Sequence, residues 1–334
     1  MTKNILEIDG LKTYFFTEAG TVKAVDGISF HVGKGESIGL VGESGSGKTV
    51  TALSVLRVVP KPGKTVGGKI IYDGEDVLRK TEKDMRELRG RGIGIIFQDP
   101  SSSLNPVFTV ETQLKDAIQA HEKLSHAECA SKIISLLRLV GISEPETRMR
   151  EYPHQFSGGM KQRVAIARAL ACEPKLLFAD ESTTNLDVTI QAQVLDLLNE
   201  LKRKLGMSLV MITHDMGIIA KMTTRVVVLY AGMVYEIAKT PDLFEKPRHP
   251  YTEALLAAVP RLDMRKTLQA IPGNIPNLIE PPPGCRFHPR CKYATKECTE
   301  SVPVLEEVEP EHFVACHNWR KIELKGEDAN IAKQ

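Results

Sequence analysis

The 334-residue chain lacks any apolar run of about 18 residues, the length a membrane-spanning helix needs. Its opening stretch, MTKNILEIDG, lacks the basic region and apolar core of a secretory signal, so the chain is expected to stay in the cytosol. An excess of either charge is also missing: 44 basic residues stand against 42 acidic ones, a net of +2. That balance gives no electrostatic case for nucleic acid as the main partner, and the scattered Lys and Arg read as solvated surface. No internal repeat is evident. What is present is an ordinary globular mixture, 42% apolar and 26% charged. It suffices for a sizeable core and, at this length, for one large domain plus an appendage.

Residues 5–41 alternate between β-rich runs and turns. Later apolar runs are short: Ile38–Val41, Ile93–Phe97, Leu176–Ala179, Leu209–Ile212 and Arg225–Leu229. Helical patterns separate several of them, which predicts an α/β fold around a buried, largely parallel sheet. A helix is expected over Val50–Val59, stopped by Pro60. Ser125 and Glu128 have the spacing of a capping box, and Gly141 suits the end of the helix that follows. Asp187 is expected to cap a helix from Val188 to Leu205, closed by Gly206. Residues 99–156 read as a helical subdomain inserted into the α/β core. Beyond about residue 240 prolines accumulate, at 272, 276, 281, 282, 283 and 289. Such a segment is neither long helix nor central strand and needs another fastening. The tail from Gly326 is polar and is expected to fray.

Chemistry enters at Gly42-Glu43-Ser44-Gly45-Ser46-Gly47-Lys48-Thr49, a full match to G-x-x-x-x-G-K-[ST]. Backbone N–H groups can ring a phosphate only where side chains keep clear, hence the glycines. The helix that follows, with Val50 in its first turn, turns its positive end to the anion. Lys48 would reach the β- and γ-phosphates, and the Thr49 hydroxyl would bind Mg²⁺. Downstream, Leu176–Glu181 reads as a buried strand ending in two carboxylates. Asp180 can hold Mg²⁺, usually through water, and Glu181 stands where a base could polarise an attacking water.

These motifs, with Phe156-Ser157-Gly158-Gly159-Met160-Lys161-Gln162-Arg163 shortly before the carboxylates, resemble the ATPases of ABC transporters. Ser157 can cap a helix, and two glycines let amides approach an anion. In the same order, Gln98 is similar to the family's Q-loop glutamine, which contacts the metal. Asn185-Leu186-Asp187 is similar to its D-loop, with Asp187 as the site residue, and His214 to its switch histidine on the γ-phosphate. Phe15, or its neighbour Tyr14, falls where the family stacks an aromatic on adenine. The resemblance covers about residues 5–260. It implies an α/β P-loop ABC-type ATPase with a mixed sheet core, an inserted helical subdomain and a small cysteine-containing extension. The expected boundaries are 1–240 for the ATPase domain (subdomain about 99–170) and 241–334 for the extension. It also implies a head-to-tail ATPase dimer. Each ATP would lie between the Lys48 loop of one subunit and Ser157, Gly158, Gly159 and Gln162 of the other, with motion passed to transmembrane subunits. The signature begins Phe-Ser-Gly-Gly-Met rather than Leu-Ser-Gly-Gly-Gln. Ser182 and Asn185 replace the family's frequent Pro and Ala, and none of these departures removes a catalytic group.

Four of the six cysteines crowd into Cys285-x5-Cys291-x6-Cys298-x17-Cys316. In a reducing cytosol this suggests a metal more than disulfides. The short C-x₂₋₄-C knuckles usual for zinc are missing, although His288, His312 and His317 lie nearby. An iron–sulfur cluster uses four thiolates and tolerates varied spacing. The residues alone leave zinc and iron–sulfur open, and either would fasten the proline-rich segment. Arg248-His249-Pro250-Tyr251-Thr252, Leu255-Leu256, Pro283-Gly284-Cys285, Pro289-Arg290-Cys291 and Val314-Ala315-Cys316-His317 resemble the C-terminal extension of dipeptide/oligopeptide transporter ATPases. That resemblance implies import of short peptides, sometimes of nickel or other small cargo, and a [4Fe–4S] cluster on the four cysteines at about 280–320. It further implies two permease subunits, a second and often different ATPase chain, and indirect work with an extracytoplasmic peptide-binding protein. The expected location is peripheral, on the cytoplasmic face of the membrane. Cys129 and Cys172 read as packing residues. The competing readings are a soluble ABC ATPase working on nucleic acid or ribosomes, and an iron–sulfur redox sensor with ATP use subordinate to it. One cassette and near-neutral charge count against the first, and the absence of a second redox motif against the other.

Overall fold

Two long strands open the chain, because β-favouring residues alternate through them with an apolar residue inward at most second positions. In the computed structural model, which describes residues 4–183, 186–258 and 271–326, these are β1 (Asn4–Thr17) and β2 (Gly20–Gly33), paired antiparallel. Then follow β3 (Ser37–Val41), α1 (Lys48–Val55), β4 (Gly63–Tyr72), β5 (Glu75–Asp76), α2 (Glu82–Arg91) and β6 (Ile93–Ile96). Five helices come next: α3 (Pro100–Ser103), α4 (Val110–Gln119), α5 (His126–Leu139), α6 (Pro145–Arg148) and α7 (Gly158–Leu170). The rest of the cassette is β7 (Leu176–Asp180), α8 (Val188–Leu205), β8 (Ser208–Thr213), α9 (Met216–Met222), β9 (Arg225–Tyr230) and β10 (Met233–Lys239). The chain closes with α10 (Thr240–Glu245), α11 (Pro250–Ala257), α12 (Lys296–Glu300), β11 (Glu306–Glu309) and β12 (His312–Val314).

The chain forms two compact units, Met1–Arg79 with Met211–Gln334, and Lys80–Val210. The first contains an antiparallel sheet ordered β2-β1-β4-β5 and a mixed sheet run β11-β12-β10-β9-β3. In the latter β3 lies parallel to β9, while β9, β10, β12 and β11 pair antiparallel. Every residue of β3 is buried, as is Val226 through Tyr230, so these strands read as continuous apolar runs rather than alternating ones. The second unit pairs β6 parallel to β7, and it carries the helices α2 to α8. Leu114, Ile133, Leu137, Val164 and Ile166 form much of its helical interior, each at most 1% exposed.

Several helix ends follow their sequence signals. Ser125 accepts from the Glu128 amide while the Glu128 carboxylate takes the Ser125 amide and hydroxyl, a complete capping box for α5. Gly141, at φ +75°, closes that helix as the Ile142 amide reaches back to the Leu137 carbonyl. Asp187 caps α8 through the Ile190 amide, and Gly206, at φ +63°, ends it. One end differs from expectation. The helix expected over Val50–Val59 stops at Val55, well short of Pro60. Arg57 turns left-handed at φ +52° and the Val58 amide bonds the Leu53 carbonyl, so the chain closes on a backbone motif before proline is needed. The second difference lies beyond residue 300. That part of the proline-rich segment ends in the hairpin β11–β12, which adds two strands to β10.

Candidate nucleotide site and cysteine pocket

The loop between β3 and α1 is shaped by close approaches that exclude side chains. At Gly42, φ is +149° and a Cβ would stand 2.0 Å from the Leu229 carbonyl oxygen; at Gly47, φ is +103° and a Cβ would stand 2.5 Å from the Ala24 carbonyl oxygen. Strands β9 and β2 thus grip the loop from two sides, and only glycine fits at either contact. The Gly232 amide bonds the Ser46 carbonyl at 3.0 Å, adding a third hold. Lys48 is 5% exposed. Its Nζ donates to the carbonyls of Gly42 (2.7 Å) and Glu43 (2.9 Å) and lies 3.4 Å from Ser46 Oγ. The ammonium is therefore seated by loop carbonyls, which fixes the curl of the backbone before any anion arrives. Ser44, Gly45 and Thr49 are exposed at the same loop and helix start, with Val50 half-buried behind them. Successive amides at the N-terminus of a helix, a fixed cation and an exposed threonine form a cradle suited to a polyphosphate.

The aromatics on β1 differ in their ties. The Tyr14 hydroxyl donates to Asp26 at 2.5 Å, and Asp26 also pairs with Arg286. Burial and this carboxylate push the Tyr14 hydroxyl up to about 12. Asp26 is held below its ordinary value: burial opposes its charge, but Tyr14 and Arg286 outweigh that. Phe15, half-buried, has no such tether to serve and lies against Gly63.

In the second unit, β7 delivers Asp180 at 2% exposure and Glu181 directly after it. Glu181 adopts φ +43°, a left-handed conformation costly for a residue with a Cβ. Residues held this way cluster at functional sites. Gln98 Nε2 donates to Glu181 Oε2 at 2.7 Å, so two residues far apart in sequence meet. Ser157 caps α7 by accepting from the Met160 amide at 3.4 Å. Ser157 and Gly158 are exposed and Gly159 is half-buried, whereas Gln162 is 1% exposed and turned into the unit. Asp187 spends its carboxylate on the α8 cap, and Asn185 lies outside the described residues. In the first unit, His214 is exposed at the end of β8. Next to it Asp215 fixes the turn by accepting from the Gly217 amide at 2.8 Å.

Comparison with known proteins bears on this arrangement directly. Residues 25–184 match the family model for ABC transporters, and residues 235–298 match that for the C-terminal region of oligopeptide/dipeptide transporters. The probable peptide ABC transporter ATP-binding protein y4tR of Sinorhizobium fredii is 50% identical over 96% of both chains. The dipeptide transport ATP-binding protein DppD of Bacillus subtilis is 46% identical over 94% of both. The chain belongs to the ABC transporter family, as an ATP-binding subunit of its oligopeptide/dipeptide branch. The dimeric post-hydrolysis structure of the ATP-binding cassette MJ0796, bound to ADP and Pi, superposes with a TM-score of 0.63 at 25% identity, covering 70% of this chain and 98% of that one. The α/β ABC ATPase fold and an activity of ATP hydrolysis coupled to transport follow for this chain.

The branch-specific extension gathers its four cysteines around one hollow. Cys285, Cys291, Cys298 and Cys316 line it together with His249 and Asn318, and all four thiols are free. Burial pushes the Cys285 thiol up to about 11 and the Cys316 thiol up to about 12, and raises Cys291 as well. Asn318 Nδ2 points at Cys298 Sγ from 3.6 Å. Among the described residues, however, no group of three or more His, Cys, Asp and Glu stands close enough to hold one metal ion. A tetrahedral zinc would need its sulfurs about 3.8 Å apart. His312, one of the candidates near the motif, is committed elsewhere: its Nε2 meets the fully buried Glu236 at 2.7 Å. Cys129 is buried in α5, and Cys172 donates to the Ala117 carbonyl at 3.4 Å, in keeping with packing roles.

Sequence reasoning missed two further members of the site. The Tyr251 hydroxyl accepts the Glu43 amide of the phosphate loop at 2.8 Å. Arg286 pairs with Asp26 and donates to the Ala231 carbonyl at 2.6 Å, fastening the extension to β2. Tyr251 stands in one of the motifs that carry the family likeness and Arg286 directly follows another, but nothing in a linear pattern states which distant residue they touch.

The same packing makes a pH prediction. His249 is 1% exposed, caps α11 by accepting the Tyr251 amide at Nδ1, and burial drives its pKa down to about 3. The unfolded chain takes up a proton near pH 6.5 that the folded chain refuses. Its stabilising contribution is therefore complete above about pH 6.5 and falls by up to about 1.4 kcal/mol per pH unit on acidification toward 3. Urea midpoints measured from pH 7 to 4.5 should decline less steeply in His249→Asn, which keeps a capping acceptor and loses the titration.

Proposed function

We propose that this chain powers the import of dipeptides and oligopeptides through separate membrane-spanning subunits. The observation that carries the reading is the seated Lys48 loop on the same chain as a peptide-transporter extension, the two joined through Tyr251 and Glu43. Lys48 binds the β- and γ-phosphates, with amides of Gly42, Ser44, Gly45, Ser46 and Gly47 around them and Val50 in the supporting turn. Thr49, Asp180 and Gln98 serve Mg²⁺, and Phe15 stacks on adenine, Tyr14 being fastened to Asp26 instead. Glu181 polarises the attacking water and His214 senses the γ-phosphate. The signature contacts to a second subunit's ATP come from Ser157, Gly158 and Gly159. Gln162, buried behind them on the same helix, belongs to the signature set as their support, and Asp187 shapes the turn at the interface.

The partners are a second ATPase chain, a paralogue or another copy, and two permeases, with an extracytoplasmic peptide-binding protein acting at one remove. Exposed apolar side chains at Phe97, Val107, Phe108 and Tyr152 suit a permease contact in the second unit. No helix among the described residues is long and apolar enough to cross a membrane. Likeness to transporter ATP-binding proteins supports the reading of a peripheral subunit on the cytoplasmic face. The domain boundaries read from sequence, 1–240 with a helical subdomain about 99–170 and an extension 241–334, belong to the same proposal.

The four thiols suit a [4Fe–4S] cluster better than zinc. They line one hollow and none is spent on a disulfide, and such a cluster takes four thiolates at varied sequence spacing, whereas the short C-x₂₋₄-C knuckles usual for zinc are missing. A cluster would cross-link four stretches of loop that have little core of their own.

Three experiments test these readings. Affinity-tagged chain expressed with its neighbouring permeases should co-purify with them from detergent extracts; stable association with DNA or ribosomes instead would overturn the transport reading. Glu181→Gln should keep ATP binding and slow hydrolysis roughly 10²–10⁴-fold in a phosphate-release assay, and near-normal turnover would remove Glu181 as the base. Anaerobically purified protein should absorb broadly near 400 nm, about where iron–sulfur charge transfer falls, and lose that band in Cys316→Ser; a colourless, zinc-containing protein would reverse the choice of metal.

A further inference from the structure

The segment that bears Cys285 and Cys291 also bears an arginine whose whole donor set is spent. Arg290 is buried, with 4% of its side chain exposed, against 24% for its partner Glu43. Nη1 donates to Glu43 Oε2 at 2.6 Å and Nη2 to Glu43 Oε1 at 3.1 Å, a bidentate pairing. The remaining N–H groups reach the Tyr230 hydroxyl (3.2 Å), the Pro272 carbonyl (2.8 Å) and the Ile271 carbonyl (3.3 Å). The guanidinium carbon also stands 5.6 Å from the Tyr230 ring centre. A guanidinium has five N–H donors, and all five are used here.

Glu43 is the second residue of the phosphate loop, and each of its polar groups is assigned. Its carboxylate meets Arg290, its amide meets the Tyr251 hydroxyl, and its carbonyl accepts Lys48 Nζ. The extension therefore grips the residue that seats the phosphate-binding lysine.

We propose that Arg290 is a positioning residue for nucleotide binding: through Glu43 it fixes the backbone that places Lys48. The inference rests on the reading of the Lys48 loop as the ATP site and deepens it, making the extension part of that site. The physical argument is the cost of the pair. Withdrawing two charges from water is expensive, and a buried ion pair is seldom more stabilising than apolar residues of the same volume. What such a pair supplies is a fixed geometry, because a fork meeting a carboxylate allows one orientation. Without Arg290 the Glu43 side chain would turn to water and its carbonyl would no longer be held toward Lys48.

The test uses the full chain with ATP, measuring Kd by calorimetry, KM and kcat by phosphate release, and Tm by thermal melt. Arg290→Gln and Glu43→Gln should each raise Kd and KM about tenfold, within the usual range for coupling between sites, with kcat changing less. The double variant should be no weaker than either single one. Arg290→Lys should recover only part of the affinity, having no bidentate fork. Glu309→Gln, which breaks the separate Arg248–Glu309 pair of the extension, should leave Kd unchanged. The proposal is overturned if Arg290→Gln lowers Tm with Kd unaltered, or if the two single effects add in full. Should Arg290→Gln not fold, Glu43→Gln and Arg290→Lys decide the matter by the same comparison. Wild-type protein that fails to bind ATP would sink the nucleotide reading itself, an outcome distinct from normal binding that the variants leave intact.

Discussion

The constraint on which the first unit depends is the tight fit of the backbone at residues 42–48. A loop that offers amides to an anion cannot cover them with side chains, and so cannot hold itself by side-chain packing. It must be held from outside, and each hold is visible. The Leu229 and Ala24 carbonyl oxygens lie where a Cβ of Gly42 or Gly47 would be. Gly232 takes the Ser46 carbonyl, Tyr251 the Glu43 amide, and Lys48 folds its own ammonium back on two loop carbonyls. Strands β2, β3 and β9 supply the frame, and the continuous apolar burial of β3 and β9 makes that frame stiff.

The extension solves a different problem with polar groups. Its described residues include few regular elements, and prolines remove both helix and ladder from much of it. Order comes instead from buried polar groups that meet one another across the segment. Glu236, with no exposure, accepts from the Arg248 and His249 amides and meets His312, so two separate segments converge on one carboxylate of β10. Tyr230, Tyr235, Tyr251 and Phe287 pack edge-on or tilted around them, with His249 against Tyr235. Aromatic rings with a polar tip suit this mixture, since each buries a broad apolar face and still satisfies its hydroxyl.

Where the signal was local, the sequence was legible. Asp187 to Gly206 could be read as a helix with both ends, because cap and stop lie within the pattern that they bound. The phosphate loop could be read because its glycines answer a demand made by the ligand and the backbone within eight residues. The early end of α1 was hidden, since Arg57 entering a left-handed turn leaves no mark on composition. The β11–β12 hairpin was hidden too, its strands being short and the first of them, Glu306–Glu309, rich in glutamate. Burial of Gln162 depends on which face of α7 turns inward, and a motif of mixed polarity does not state that. Least legible were the long-range pairs: Arg290 and Glu43 are 247 positions apart, and neither is unusual in its own neighbourhood.

That hidden pairing bears on why the extension is joined to the motor at all. An appendage needing only stability would do as well with apolar contacts, which carry no desolvation penalty. Here Arg286 and Arg290, each beside a cysteine of the pocket, reach instead to Asp26 on β2 and to Glu43 in the loop. Charge pairs tolerate little displacement, because their partners lose both the bond and their solvation when separated by even a small shift. Apolar surfaces can slide past one another at much lower cost. The paired charges, added to the aromatic packing of Phe287 on Tyr230, therefore fix the register between the cysteine-bearing segment and the phosphate loop. Any change that moves Cys285 or Cys291 must be absorbed either within the short stretch around them or by the loop that holds Lys48.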